Sequence, residues 1–161
     1  MSDPRGRGGA GGLTPPVATA FAVVGFFALL IGGFGMLSLF TGAEVLPVSG
    51  LGQLPGIVGG AFSVGAFALS TWFAVRPERR RYGSAAIVTV ATVLAYLVGV
   101  LAGGVLSGVD GARIVAAVGA FATSWFAVVL AAAALVGGWG AIALVRTAAE
   151  RPRWPWERDD D

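Results

Sequence analysis

Four long stretches without a single charged side chain constrain this chain more than any other feature. The first, "VATAFAVVGFFALLIGGFGMLSLF", occupies residues 17–40. As a helix it extends roughly 36 Å at 1.5 Å per residue. That crosses a hydrocarbon core about 30 Å thick with some tilt. The second stretch is 55–75, "PGIVGGAFSVGAFALSTWFAV", where Pro55 suits a first helical turn. The third is 84–106. The fourth lies between Arg113 and Arg146 and is longer than one crossing needs. Counting back about 20 residues from Arg146 puts its outer boundary near Phe126. The span is taken as 118–145, with "IVAAVGAFATS" either extra tilted helix or a turn or two outside the bilayer.

A soluble fold is a poor host for these stretches. Soluble domains carry about 25% charged residues, whereas this chain of 161 residues has 12% and is 56% hydrophobic. Its mean hydropathy is +0.80. None of the four runs has the charged face of an amphipathic helix. The expected fold is therefore all-α, an integral membrane four-helix bundle. Residues 1–16, rich in Gly and Pro, are expected to be a disordered cytoplasmic N-terminus. Residues 17–146 form the membrane domain and 147–161 a cytoplasmic juxtamembrane tail. The first span is read as retained, because signal-peptide cores run only about 7–15 residues.

Orientation follows from arginine, the only basic residue type present. Arg5 and Arg7 precede the first span. Arg76, Arg79, Arg80 and Arg81 join the second to the third, and Arg146, Arg151, Arg153 and Arg158 follow the fourth. Only Arg113 falls on the other side. Basic residues near helix ends favour the cytoplasm, so both termini are expected to be cytoplasmic in a multi-pass plasma-membrane protein. An even number of spans likewise puts both ends on one side. Arg76, Arg79, Arg80, Arg81 and Arg146 are the main topology determinants.

Residue types limit the chemistry. Histidine and cysteine are absent, which removes Ser–His and Cys–His pairs and imidazole or thiolate metal sites. No catalytic residue, cofactor or metal site is expected. The spans hold no ionisable group of the kind that marks proton relays and ion paths. Small four-helix multidrug exporters carry a glutamate inside their first helix; here the only candidate, Glu44, falls in the loop beyond it. The acidic run Asp159, Asp160 and Asp161 reads as solvated. Nucleic-acid binding is not expected, because the arginines flank apolar runs and make no basic face.

Small residues recur at four-residue spacing: Ala28 with Gly32, Gly56 with Gly60, Gly99 with Gly103, and Gly104 with Gly108. In a bilayer such pairs let helix backbones approach closely, so these eight are read as packing positions. Scattered hydroxyls, among them Ser63, Thr92, Tyr96 and Thr123, either bond across helices or turn back on their own backbones. The loop "TGAEVLPVSGLGQLPG" is unusually apolar. It is expected either to lie on the membrane surface with its leucines in the interface or to cover the outer mouth of the bundle. "GAFALSTWFAV" at 65–75 resembles "GAFATSWFAV" at 119–128, but Trp72 and Trp125 would then sit at opposite membrane faces. The likeness is therefore read as coincidence, with one tryptophan in each aromatic belt.

The chain closes on "RPRWPWERDDD". Trp154 and Trp156 can rejoin the headgroup layer, while Arg151 and Arg153 meet anionic lipid. Trp72, Trp125, Trp154, Trp156, Arg151 and Arg153 are thus the expected interface anchors. Four spans, an arginine-rich central loop and the "RPRWPWE" tail together resemble a family of small four-span actinobacterial integral membrane proteins of unknown function. The resemblance implies a plasma-membrane location and transfers no catalytic or binding residue. The expected role is a non-enzymatic scaffold or accessory subunit, whose partners are the bilayer with its anionic headgroups and a membrane protein or a second copy of the chain. A channel or transporter for a neutral or apolar solute is the alternative.

Overall fold

The computed structural model describes residues 15–75 and 83–149, with side chains from 16 to 75 and from 83 to 145. Arg76, Arg79, Arg80, Arg81, Arg151, Arg153, Trp154 and Trp156 lie outside the described residues, as do residues 1–14. Arg146 is described only by its helical backbone. Within the described residues the fold is all-helical, with α1 Pro15–Thr41, α2 Leu54–Ala74, α3 Gly83–Leu106, α4 Gly111–Ala122 and α5 Trp125–Ala149. Helices α1, α2, α3 and α5 are long and apolar enough to cross a membrane; in α5 the segment that qualifies is Trp125–Val145.

The fourth span differs from the expected 118–145. The uncharged run is two helices. Asp110 starts α4 by accepting a hydrogen bond from the Ala112 amide at 3.0 Å, which satisfies one of the orphan donors of a first turn. The chain breaks at Thr123 and Ser124. There the Thr123 hydroxyl donates to the Gly119 carbonyl and the Ser124 hydroxyl to the Phe121 carbonyl. Such bonds offer the backbone an alternative to continued helix. α4 runs antiparallel along the second half of α3, with Ile114 against Gly104 and Phe121 stacked on Tyr96. Residues 111–122 are thus not a continuation of the α5 helix. They form a short helix clamped to the bundle.

Two glycines end helices. Gly42, at φ 64°, returns its amide to the Ser38 carbonyl after α1. Gly108, at φ 68°, closes α3 with Gly108 N–H to Val105 O and Val109 N–H to Gly104 O. This is the paired bonding of a left-handed helix stop, which favours glycine. Gly108 was expected to pack helices; its job is to turn the chain, and no atom lies within 4 Å of an added Cβ there.

The interior is built from α2 on α3, α1 on α5 and α5 on α3. Phe26 of α1 stacks on Phe67 of α2, with ring centroids 4.3 Å apart. Phe34 meets Tyr96, Phe121 and Phe126 edge-on, so α1, α3, α4 and α5 converge at one aromatic cluster. The outside is as apolar as the inside. Phe21, Leu39, Phe40, Val105, Leu106 and Trp139 are all more than half exposed. A water-soluble chain rarely presents a continuous apolar surface of this kind, whereas lipid tails accommodate it at no cost.

Candidate functional site

The small residues of the bundle divide into those that touch a neighbour and those that leave space. Gly99 and Gly103 belong to the first group. A Cβ on Gly99 would stand 2.7 Å from the Gly59 Cα, and one on Gly103 would stand 2.6 Å from the Pro55 Cα. Helices α2 and α3 therefore meet backbone to backbone. Gly104 receives the Ile114 side chain of α4 at 2.8 Å from the same hypothetical atom.

Gly56 and Gly60 belong to the second group. Gly59, one position away from Gly60, makes the close approach to α3. Gly60 has nothing within 4 Å of an added Cβ, and Gly56 has only the tip of Leu46 at 3.7 Å. On α1, Ala28 and Gly32 face outward and Gly32 has no neighbour within 4 Å; Gly33 is the glycine pressed against Val129 of α5. Four-residue spacing holds equally well for adjacent registers, so it cannot say which of two neighbouring glycines faces the partner helix.

The space left by Gly56 and Gly60 is a groove of about 900 Å³ between α1 and α2. Phe27, Leu30, Ile31 and Phe34 form its α1 wall. On α2 the lining is Gly56, Ile57, Gly60, Ala61, Val64 and Gly65. Sequence reasoning missed Phe27, Ile31, Ala61 and Gly65 as site residues. Their signal was a row of small side chains on α2 opposite a row of large ones on α1, which looks the same as ordinary packing. The rim residues Phe27, Ile31 and Ile57 are roughly half exposed or more, so the groove opens sideways from the bundle. Of its lining side chains, only Tyr96 carries a polar atom. Tyr96 is 2% exposed, and no hydrogen bond reaches its hydroxyl among the described residues.

The loop between α1 and α2 folds back over the bundle. Val45 and Leu46 pack on the core, Leu51 is buried, and Leu54 is partly exposed. Gly50 lies under the Arg113 guanidinium of α4. Val45 lines one end of the groove. There a second space of about 410 Å³ begins, lined by Glu44, Val45, Leu46, Gly52, Gln53, Gly56 and Ile57. The two spaces share Val45, Gly56 and Ile57, so an apolar trough runs into a mouth carrying a carboxylate and an amide.

Most hydroxyls turn back on their own helices. Ser63 donates to Gly60 O at 2.8 Å, Thr92 to Val88 O at 2.7 Å and Thr123 to Gly119 O at 3.0 Å. Ser63 and Thr92 are fully buried. They line no water-accessible route through the described bundle. Thr71 is also fully buried, and its hydroxyl has no partner among the described residues. Trp72, near the end of α2, is about one-third exposed, and Trp125, at the start of α5, is largely exposed. Among the described residues, no group of three or more metal-ligating side chains comes together.

A family model described as "Family of unknown function (DUF6121)" matches residues 15–161. No curated protein and no solved structure matches the chain.

Proposed function

The chain belongs to the DUF6121 family of unknown function, and from its own geometry we propose that it is a non-enzymatic, accessory binding protein of the plasma membrane. It holds an apolar molecule taken sideways from the bilayer in the groove between α1 and α2. The observation that carries this reading is the groove itself: about 900 Å³ and apolar apart from one tyrosine. Its size falls in the usual range for small-molecule sites, about 300–1,000 Å³. The arginine bias supports both termini in the cytoplasm, which sets α4 and the 42–53 loop on the outer face. The lack of histidine and cysteine and the back-bonded hydroxyls favour binding over catalysis or passage of a polar solute.

Gly60→Leu tests the reading. Because an added Cβ at Gly60 meets nothing within 4 Å, the larger side chain enters the groove instead of a neighbouring helix. Protein purified in mild detergent is extracted and its bound apolar molecules are quantified by mass spectrometry. Wild type is expected to retain a near-stoichiometric amphiphile that Gly60→Leu loses. Equal retention by both would count against the groove as the site.

A further inference from the structure

We infer that the occupant of the groove is a membrane lipid with a primary ammonium head of the phosphoethanolamine kind, its head at Glu44 and Gln53 and one chain between α1 and α2. This assignment rests on the groove being the binding site, and it goes further by naming what the site selects.

Selection has to come from polar groups. A hydrocarbon chain is surrounded by hydrocarbon in the groove and in the bilayer alike, so its transfer between them is close to neutral. Any preference must arise at the mouth or at the one hydroxyl inside. At the mouth, Glu44 and Gln53 both line the space continuous with the groove. Glu44 has no ion pair among the described residues. The ionisable side chains described at this end are Glu44, Asp110 and Arg113, which leaves one negative charge in excess. Asp110 is occupied in capping α4. Glu44 is thus the free carboxylate, and a carboxylate beside an amide oxygen accepts N–H hydrogen bonds from an ammonium. A quaternary choline head offers no N–H, and a glycerol head offers no cation.

The second polar point is Tyr96. Its ring meets α2 at Gly59, where a Cβ would lie 3.2 Å from the ring edge. Gly59 is five residues, about 7.5 Å, inward from the start of α2. A lipid whose head lies at Glu44 carries its ester linkage at about that depth. The Tyr96 hydroxyl makes no hydrogen bond among the described residues and its side chain lines the groove, so it is a donor open to an ester carbonyl of the lipid.

The test uses the full chain in mild detergent with an equimolar mixture of phosphatidylethanolamine, phosphatidylcholine and phosphatidylglycerol of identical chains, read by native mass spectrometry. Wild type, Glu44→Gln, Tyr96→Phe and Gly60→Leu are compared after circular dichroism shows equal helix content. The expected result is roughly three- to tenfold enrichment of the ethanolamine lipid over the other two. Glu44→Gln is expected to abolish the enrichment by lowering retention of the ethanolamine lipid to that of the other two, and Tyr96→Phe to lower retention of all three lipids. Equal binding of the three lipids by wild type, or enrichment that survives Glu44→Gln, overturns the head-group assignment and leaves the groove reading standing if Gly60→Leu still lowers total lipid. Unchanged total lipid in Gly60→Leu overturns both.

Discussion

Adding one methyl group at Gly99 probes the closest contact in the bundle. A Cβ there would stand 2.7 Å from the Gly59 Cα, 2.8 Å from the Val58 carbonyl oxygen and 2.9 Å from the Phe62 Cβ. Ordinary contact begins at 3.4 Å, so relief needs movement of 3.4 minus 2.7, about 0.7 Å. The first two obstacles are backbone atoms, which no rotamer change can move. Helix α2 must back away from α3 along their shared face, and a gap of about 0.5–1 Å forfeits a quarter to a half of the contact energy of each atom pair along it. Overpacking of this kind typically costs about 1–3 kcal/mol, and rigid backbone obstacles put Gly99→Ala at the upper end. Alanine returns up to about 1 kcal/mol through helix propensity. Gly32→Ala gains that term with no clash, since nothing lies within 4 Å. The two variants are therefore expected to differ by about 2–3 kcal/mol. Reversible unfolding in mixed micelles, followed by circular dichroism, measures the difference. Equal stability, within about 0.5 kcal/mol, would refute backbone contact between α2 and α3.

Further tests address other parts of the fold. Thr71→Val removes a buried hydroxyl with no partner among the described residues and is expected to raise stability by about 1 kcal/mol in the same assay; a loss of that size would reveal an unseen bond. Gly33→Leu, aimed at Val129, is expected to destabilise the α1–α5 contact by about 1–3 kcal/mol, while Gly32→Leu meets nothing within 4 Å and is expected to keep or slightly raise stability. Cytoplasm-dependent reporters at Gly50 and after Asp161 are expected to be silent and active respectively. The reverse pattern would invert the proposed orientation.

Much of the architecture was legible because a bilayer imposes a length on every uncharged run. Helices α1, α2 and α3 end within two residues of the boundaries read from Val17, Phe40, Pro55, Val75, Ser84 and Leu106. The place of the break was legible by length, since counting back from Arg146 reaches Phe126 and α5 starts at Trp125; the separate short helix before it was not. Thr123 and Ser124 sit inside an apolar run with no proline, glycine or charge beside them, and only their bonds to the preceding carbonyls mark the stop. The glycines show a second limit. Gly59 and Gly60 are adjacent, as are Gly32 and Gly33, and helices apolar on every side give no polar face to fix which one turns inward. The groove is harder still. It exists because Gly60, Ala61 and Gly65 face Phe27 and Ile31 without filling the space between, and an unfilled volume leaves no mark in sequence. Tyr96 reads in the sequence as one of several scattered hydroxyls; its place is as the one polar side chain lining that apolar trough.

The most direct test of the central claim is photo-crosslinking in native-like bilayers with a phospholipid carrying a photoreactive group along one chain, followed by peptide mapping. The account predicts adducts concentrated on residues 27–34 of α1 and 56–65 of α2, and their loss in Gly60→Leu. Adducts spread evenly over all lipid-facing positions, including the exposed Trp139 side of α5, would contradict it.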